Sequence, residues 1–531
     1  MMRRLLTFIL TILLISGCGN TPENGASIKG LEQDDKDPSK KVILVIIDSM
    51  TGSVIDRTKE KGTIPSLQFL IENGQYYKEL VAPFPSMSVV IESTILTGKM
   101  ADEHKIPGLN WYNVNEDRYV DYGASLKKLI KLSPEQTIED SLYHLNNTHL
   151  SPNVTTLFED LHEKGYSTGS VNFIVYRGPK SHSMNIPPVF RETIGLPEGF
   201  KTMGPDLLAF GQLVKPKALK DKQLPESVFR KLGLNDEFSV EATKAIIQSE
   251  EQPDFLTVFL PDFDREAHEN SIHYLKGFER AETFFQEILN GYESWDKALE
   301  ENIFIVLGDH GQDKLIDNDV ELTIDLEHLY EDFSIAPLGE KVSDYDLAFA
   351  NNHRMTYVYA PNQTEAIPKL AKIAMSDERI AMASWNDGEW NYVLSPKYND
   401  FFRFKRGDQY HDRYDQGWDI EGDEKVASIK IDEHNKDLKY VDNPDVLNQL
   451  DTALQSNDIP ALILTANPGF QFYSEGAPIH EDGGEHGGIH ANDTLAALII
   501  AGTDKKPKYL RMVDLKDYII DLLEEDKTNI N

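Results

Sequence analysis

Val42-Ile43-Leu44-Val45-Ile46-Ile47-Asp48 is six apolar residues, most of them β-branched, closed by one carboxylate. A run without polar alternation predicts a strand buried on both faces, as in a parallel α/β sheet. In open α/β sheets the ligand site lies outside the carboxyl ends of the strands, where this stretch places Asp48. A carboxylate at the end of so apolar a strand needs a charged partner. Asp48 is therefore read as a metal ligand whose companions come later in the chain.

Two further apolar strands have the same ending. Phe255 to Leu260 runs into Pro261-Asp262-Phe263-Asp264-Arg265-Glu266-Ala267-His268, and Ile303 to Leu307 runs into Gly308-Asp309-His310-Gly311. One such junction could be a turn or an N-cap, but three of them predict a shared site. Near the end, Pro478 to His490 is a Gly-rich loop holding His480, His486 and His490, ahead of a strand from Ala496 to Ala501. Strands are also expected at Gly169 to Tyr176, Tyr357 to Tyr359, Trp390 to Val393 and Pro460 to Thr465. Helices are expected at Pro65 to Glu72, Leu157 to Gly165, Ser239 to Gln248, His273 to Leu289 and Leu515 to Leu523. Another follows the Pro-rich stretch Pro83-Phe84-Pro85 and closes at Gly98, with Ser88 in its first turn, where backbone N–H groups favour anions. The expected fold is α/β: a mostly parallel central sheet with helices on both faces, over residues 41–525. Weaker alternation and more charge at about 318–460 predict an inserted cap subdomain.

Composition narrows the function. The net charge of −35 in 531 residues speaks against nucleic acid as a partner, since phosphate backbones need basic surface. It leaves room for a small phosphate ester held by metal ions. The single cysteine, Cys18, excludes an intramolecular disulfide and a cysteine-based metal cluster. It follows a short basic start, Met1 to Arg4, and an apolar run, Leu5 to Ile15, too short to span a bilayer. Ile15-Ser16-Gly17-Cys18 resembles a bacterial lipobox, which implies a lipoprotein signal at 1–18 and a lipidated Cys18. Residues 19–40 read as a flexible tether. The expected location is extracytoplasmic, anchored to the cell membrane.

Asp48, Ser88, Asp264, His268, Asp309, His310 and His486 make a mixed oxygen and nitrogen donor set that suits Zn2+ or Mn2+. Their order resembles the alkaline phosphatase superfamily, and within it the type I phosphodiesterase/nucleotide pyrophosphatase branch. Four blocks carry the resemblance: the strand ending at Asp48; Ser88 ten residues before Gly98; Asp264-x-x-x-His268 with Gly308-Asp309-His310-Gly311; and Glu485-His486-Gly487. It implies that Asp48, Ser88, Asp309 and His310 hold one metal and that Asp264, His268 and His486 hold the other. Ser88 would then be the metal-activated nucleophile of a phosphoester hydrolase and would form a phosphoserine. Asp262 competes with Asp264, and His480 and His490 compete with His486. Asn172 and Arg177 are candidate substrate contacts with an equal claim to be strand-end residues. His104 and His273 read as surface or supporting histidines.

The chain departs from its relatives near the nucleophile. The nucleotide pyrophosphatase branch carries Thr there and Asn three residues on; here the residues are Ser88 and Ile91. Alkaline phosphatases proper follow the Ser with Arg, where this chain has Val89, and the sulfatase pattern is absent. A phosphodiester or pyrophosphate substrate is therefore expected ahead of a monoester. The alternatives are a phosphomonoesterase, a head-group phosphotransferase of the same fold, and a non-catalytic surface-binding lipoprotein.

Overall fold

The computed structural model describes residues 40–524, apart from 124–127, 129–130, 189–190, 193–194, 220–221, 226–232, 250, 317–320 and 482. The expected signal, Cys18 and the tether lie outside the described residues.

Seven strands build the central sheet: β1 (Lys41–Ile47), β2 (Gly74–Val81), β3 (Thr168–Val171), β4 (Leu207–Ala209), β5 (Phe255–Leu260), β6 (Asn302–Leu307) and β7 (Leu495–Ala501). They lie in the order β2-β7-β6-β1-β5-β3-β4. β1 is the central strand and pairs in parallel with β6 and β5. β3 and β4 continue the parallel set, and β7 runs antiparallel between β6 and β2.

Alternate side chains of β1 enter two different cores. Ile43, Val45 and Ile47 join one, and Val42, Leu44 and Ile46 the other, all with no exposed surface. Burial of each contributes roughly 1.5–3 kcal/mol relative to exposure. Helices cover both faces: α1 (Gly52–Lys61), α2 (Pro65–Glu72), α3 (Ser88–Thr97), α4 (Leu157–Glu163), α5 (Asp236–Gln248), α6 (Asp262–Asn270), α7 (Leu275–Leu289) and α8 (Leu515–Glu524). The first core takes residues of α1, α2, α5 and α7, and the second takes residues of α3, α4 and α8. Among the described residues no helix is long and apolar enough to cross a membrane.

The register aligns the strand ends that matter. Ile46 lies opposite Leu307, and Ile47 opposite Leu260, so β1, β6 and β5 finish side by side. β7 runs the other way and brings its first residue, together with the loop before it, to the same edge. Val81, at the end of β2, pairs with Leu495 there and leads toward Ser88.

A second, nine-stranded sheet lies between Ala348 and Ala466. Its first hairpin joins Ala348–Asn352 to Met355–Tyr359, with His353 and Arg354 at the tip. The strand at Ala461–Ala466 belongs to this sheet, between Met355–Tyr359 and Ile380–Asn386.

Two of the departures from the sequence expectation bear on the site. The strand expected at Gly169 to Tyr176 stops at Val171. Asn172 adopts φ 57°, and its Nδ2 donates to Gly233 O and Ser239 Oγ, which turns the chain out of the sheet. The helix expected from His273 begins at Leu275, and a separate helix, α6, precedes it. Ser271, at φ 64°, ends α6.

Candidate metal centre

Asp48 follows β1 directly, and its N–H donates to Leu260 O at 3.0 Å, so the β1–β5 pairing continues to the carboxylate. Gly308, on the other flank, has its N–H on Ala497 O at 3.0 Å. A Cβ on Gly308 would lie 2.0 Å from Met50 O, and one on Gly311 2.1 Å from Asn492 O. Only glycine permits that approach, so both glycines of the Gly-Asp-His-Gly block hold Asp309 and His310 against the β1 and β7 ends.

The first cluster consists of Asp48, Asp309 and His310, whose donor atoms lie within 4.8 Å of one another. His310 Nε2 is 3.4 Å from Asp48 Oδ1 and 3.6 Å from Asp309 Oδ2. Among the described residues those three buried atoms have no hydrogen-bond partner. Burial, reinforced by the charges of Asp309 and Asp264, pushes Asp48 well above the usual carboxylate range. Carboxylate oxygens and a ring nitrogen that converge without partners in a buried site fit a divalent cation.

The second cluster is carried by α6. Asp264 and His268 are one helical turn apart, so both side chains point the same way. His268 Nε2 is 3.3 Å from Asp264 Oδ2, and His486 Nε2 is 3.9 Å from Asp264 Oδ1. The clusters touch: the rings of His310 and His486 stack at 3.7 Å, and Asp264, His310 and His486 form a third donor group. Burial pushes Asp264 up, but the imidazoles of His268, His486 and His310 outweigh it and hold the carboxyl well below its ordinary value. Burial opposes charge on His268, yet Asp264 and Glu485 raise it to about 9.

Each imidazole is oriented by its other nitrogen. His310 Nδ1 donates to Gly311 O (2.9 Å), His268 Nδ1 to Gly484 O (2.9 Å) and His486 Nδ1 to Ser86 O (2.8 Å). A carbonyl can only accept, so Nδ1 carries the proton and Nε2 is left as the donor toward a metal.

Ser88 opens α3, half-buried, behind Met87, which makes no side-chain cap. One turn later comes Glu92, fully buried, with its Oε2 on Val175 N at 2.8 Å and its Oε1 without a partner. His486 Nδ1 lies 2.8 Å from Ser86 O, two residues before α3, which ties the start of this helix to the second cluster. Val89, Val90 and Ile91 pack into the hydrophobic core.

The competing residues have other work. Asp262 accepts from Asp236 N at 3.0 Å, and Asp236 accepts from Asp262 N at 2.9 Å, a reciprocal cap between α5 and α6. His490 caps the short helix Ala491–Thr494, with Nδ1 accepting from Asn492 N. His480 and His353 donate to Glu485. Arg177 is tied up by Glu159 and the carbonyls of Leu150, Ser151 and Val154, and Asn172 shapes its own turn. His104 is buried against Thr94, and His273 meets Arg57 at the surface.

Sequence reasoning missed several supporting groups. Ser49, at φ 62°, bridges the clusters, with N–H on Asp309 Oδ1 (3.1 Å) and Oγ on Asp264 Oδ1 (2.7 Å). Gln312 Nε2 donates to Asp264 Oδ1 at 3.1 Å. Both directly extend motifs already noted, so adjacency was the available signal. His353 had none: it comes from the second sheet.

Arg354, next to it, is fully buried. Its guanidinium donates to Asp493 Oδ1 (3.1 Å), Glu485 O (3.0 Å) and Asp313 O (3.3 Å), pinning the loop that carries His486 to the hairpin tip. Arg354→Met strands Asp493, which burial already pushes up to about 7. The variant's Asp493 takes up a proton, so the expected loss is about 3 kcal/mol, the low end for a broken buried pair. Urea denaturation measures it, and a loss under about 1 kcal/mol would show that the loop does not depend on this clamp.

The mostly parallel sheet with carboxylate–imidazole clusters at its carboxyl edge has the alkaline phosphatase-like fold. Within that fold class the chain belongs to the type I phosphodiesterase/nucleotide pyrophosphatase family, whose sequence profile matches residues 42–489. It is accordingly a hydrolase acting on phosphoric ester bonds, in a metal-dependent family. Among solved structures, phosphonoacetate hydrolase from Sinorhizobium meliloti 1021 in complex with phosphonoformate is similar, with a TM-score of 0.53 and 14% identity over 92% of this chain and 96% of that one. The same enzyme with phosphonoacetate gives 0.54 and 13% over the same shares. Human ectonucleotide pyrophosphatase/phosphodiesterase 5 gives 0.50 and 11% over 91% and 95%. At these identities the likeness concerns the fold. No curated protein sequence matches significantly.

Proposed function

We propose that this protein hydrolyses a small phosphodiester or pyrophosphate, with Ser88 as nucleophile at a site built for two divalent cations. The observation that carries the reading is the pair of touching donor clusters, Asp48–Asp309–His310 and Asp264–His268–His486, the second tied through His486 to Ser86 just before α3. The mixed carboxylate and imidazole donors suit Zn2+, with Mn2+ the second choice.

Cations held by Asp48, Asp309 and His310 and by Asp264, His268 and His486 would lower the pKa of the Ser88 hydroxyl and offset charge on the attacking and leaving oxygens. Ser88 Oγ loses its proton and attacks phosphorus in line with the ester oxygen that leaves. The bond to that oxygen breaks, the leaving group takes a proton, and a phosphoserine remains. Water then displaces Ser88 Oγ, which regains its proton. The N-terminus of α3 offers backbone N–H groups to the phosphoryl oxygens. Asp48 and Asp309 would supply counter-charge for the cations, and the carbonyl-anchored histidines hold one proton on Nδ1 and aim Nε2 into the site.

Turnover of bis-p-nitrophenyl phosphate, p-nitrophenyl phosphate and a set of phosphonates, with and without added Zn2+ or Mn2+, tests this reading. Phosphonates belong in the panel because a protein of similar fold is a phosphonoacetate hydrolase. The diester is expected to be turned over fastest. No turnover of any of them with two metals bound would refute the hydrolase reading, and a faster monoester would reassign the substrate class.

We also propose a location: the lipobox-like Ile15-Ser16-Gly17-Cys18 supports a lipid on Cys18 that holds the domain outside the cytoplasm on the tether of residues 19–40. In a bacterial host, Cys18→Ser is expected to move the protein from the membrane to the soluble fraction. Unchanged membrane association on fractionation would remove the lipid anchor.

A further inference from the structure

His353 and Glu485 have no part in the chemistry above, yet they adjoin it. Glu485 has no exposed surface, and its carboxylate accepts from His353 Nδ1 at 2.6 Å and from His480 Nδ1 at 2.9 Å. Its further ionic neighbour is His268 Nδ1, 3.8 Å away, and among the described residues no lysine or arginine pairs with the carboxylate. The buried carboxylate is therefore met by imidazoles and by one backbone N–H, that of His486 at 3.0 Å.

A carboxylate that takes the Nδ1 proton of a histidine leaves Nε2 as a lone-pair donor, the arrangement that orients metal-binding imidazoles. His353 thus repeats the pattern seen at His268, His310 and His486, with Glu485 in place of a backbone carbonyl. Its ring lies 5.1 Å from that of His486 and 5.3 Å from that of His268, centre to centre. The backbone of His353 is held at φ 62°, a conformation uncommon outside glycine, at the tip of a hairpin that reaches across from the second sheet. Donor atoms of His268, His353, Glu485 and His486 all lie within 4.8 Å of one another. With the Glu485 oxygens taken by the Nδ1 protons of His353 and His480, the imidazoles of His268, His353 and His486 are the donors of this set, and three imidazoles suit zinc or cobalt.

We infer that the second cation has two stations: an inner one on Asp264, His268 and His486, and an outer one in which His353, its ring held by Glu485, replaces Asp264. His268 and His486 are common to both, so one cation occupies one station at a time. The outer station borders His480, whose side chain is 22% exposed and stacks on His268 at 4.3 Å, so it is the side from which the cation loads and leaves. The inference rests on the two-cation reading of the site and is independent of which ester is cleaved.

Equilibrium dialysis against buffered Zn2+, followed by elemental analysis, tests it by counting ions per chain. Wild type is expected to hold two. Asp264→Asn, which disables the inner station, is expected still to hold two, the second with Kd raised about tenfold or more. Asp264→Asn combined with His353→Ala is expected to hold one. A single zinc in Asp264→Asn, or two in the double variant, would overturn the outer station. Asp264→Ser repeats the comparison if the asparagine variant fails to fold. A wild type that cleaves no phosphate ester while the counts run two, two and one refutes the proposed function and leaves the stations standing. An active wild type with one zinc in Asp264→Asn refutes the stations alone.

Discussion

Ser88→Ala is expected to lower kcat/KM for a diester by about 10³-fold or more, roughly 4 kcal/mol of transition-state stabilisation. The substitution removes one oxygen from the first turn of α3 and leaves Asp48, Asp309 and His310 facing one another across the first cluster. The packing cost is small, because Val89, Val90 and Ile91 carry the burial of that turn and Ser88 is small and only partly buried. Metal content should therefore stay at two, and the melting temperature should change little. That split separates a nucleophile from a structural residue: activity collapses while metal count and stability hold. A variant that keeps more than a tenth of wild-type kcat/KM would remove Ser88 from the mechanism.

Stripping the cations with a chelator is the second large effect. Turnover is expected to vanish and to return when Zn2+ or Mn2+ is restored. The metal-free protein leaves four buried or largely buried carboxylates, Asp48, Asp264, Asp309 and Glu92, around one small volume. At hundredfold saturation each cation adds about 2.7 kcal/mol of stability, so the melting temperature should fall by several degrees on stripping.

Reloading has a defined proton stoichiometry. In the metal-free protein His268 is raised to about 9, so at pH 7.5 it is the imidazolium. A metal needs the neutral ring, so loading the second cluster releases a proton below pH 9 and none from His268 above it. The apparent affinity of that site is thus expected to rise about tenfold per pH unit up to about 9 and then level off. Calorimetry in two buffers with different ionisation heats counts the protons. No proton released at pH 7.5 would contradict the His268–Asp264 arrangement.

Much of this architecture is written locally in the chain. An unbroken apolar run must bury both faces, and β1 does so by sending alternate residues into two cores. An acidic residue at the end of such a strand is forced to the sheet's carboxyl edge, which is why Asp48 and Asp309 are legible from the order of residues alone. The spacing of Asp264 and His268 needed only a helix to bring the two side chains together, and α6 provides it. The limits of elements were less legible. The strand after Gly169 is stopped by the αL turn of Asn172, whose hydrogen bonds go to Gly233 and Ser239, far along the chain.

The same distinction governs the site. The sequence by itself determined the donor types and their order, because strand burial, glycine spacing and carboxylate placement are properties of neighbouring residues. Only the tertiary structure decided which of several candidates meet. Asp262 was withdrawn by its cap with Asp236, His490 by its own short helix, and His486 was brought onto His310 by the antiparallel turn into β7. It also delivered His353 and Arg354 from the second sheet to Glu485, across more than 130 residues of chain. No local pattern encodes such a meeting, because it depends on how two separately cored sheets pack against each other.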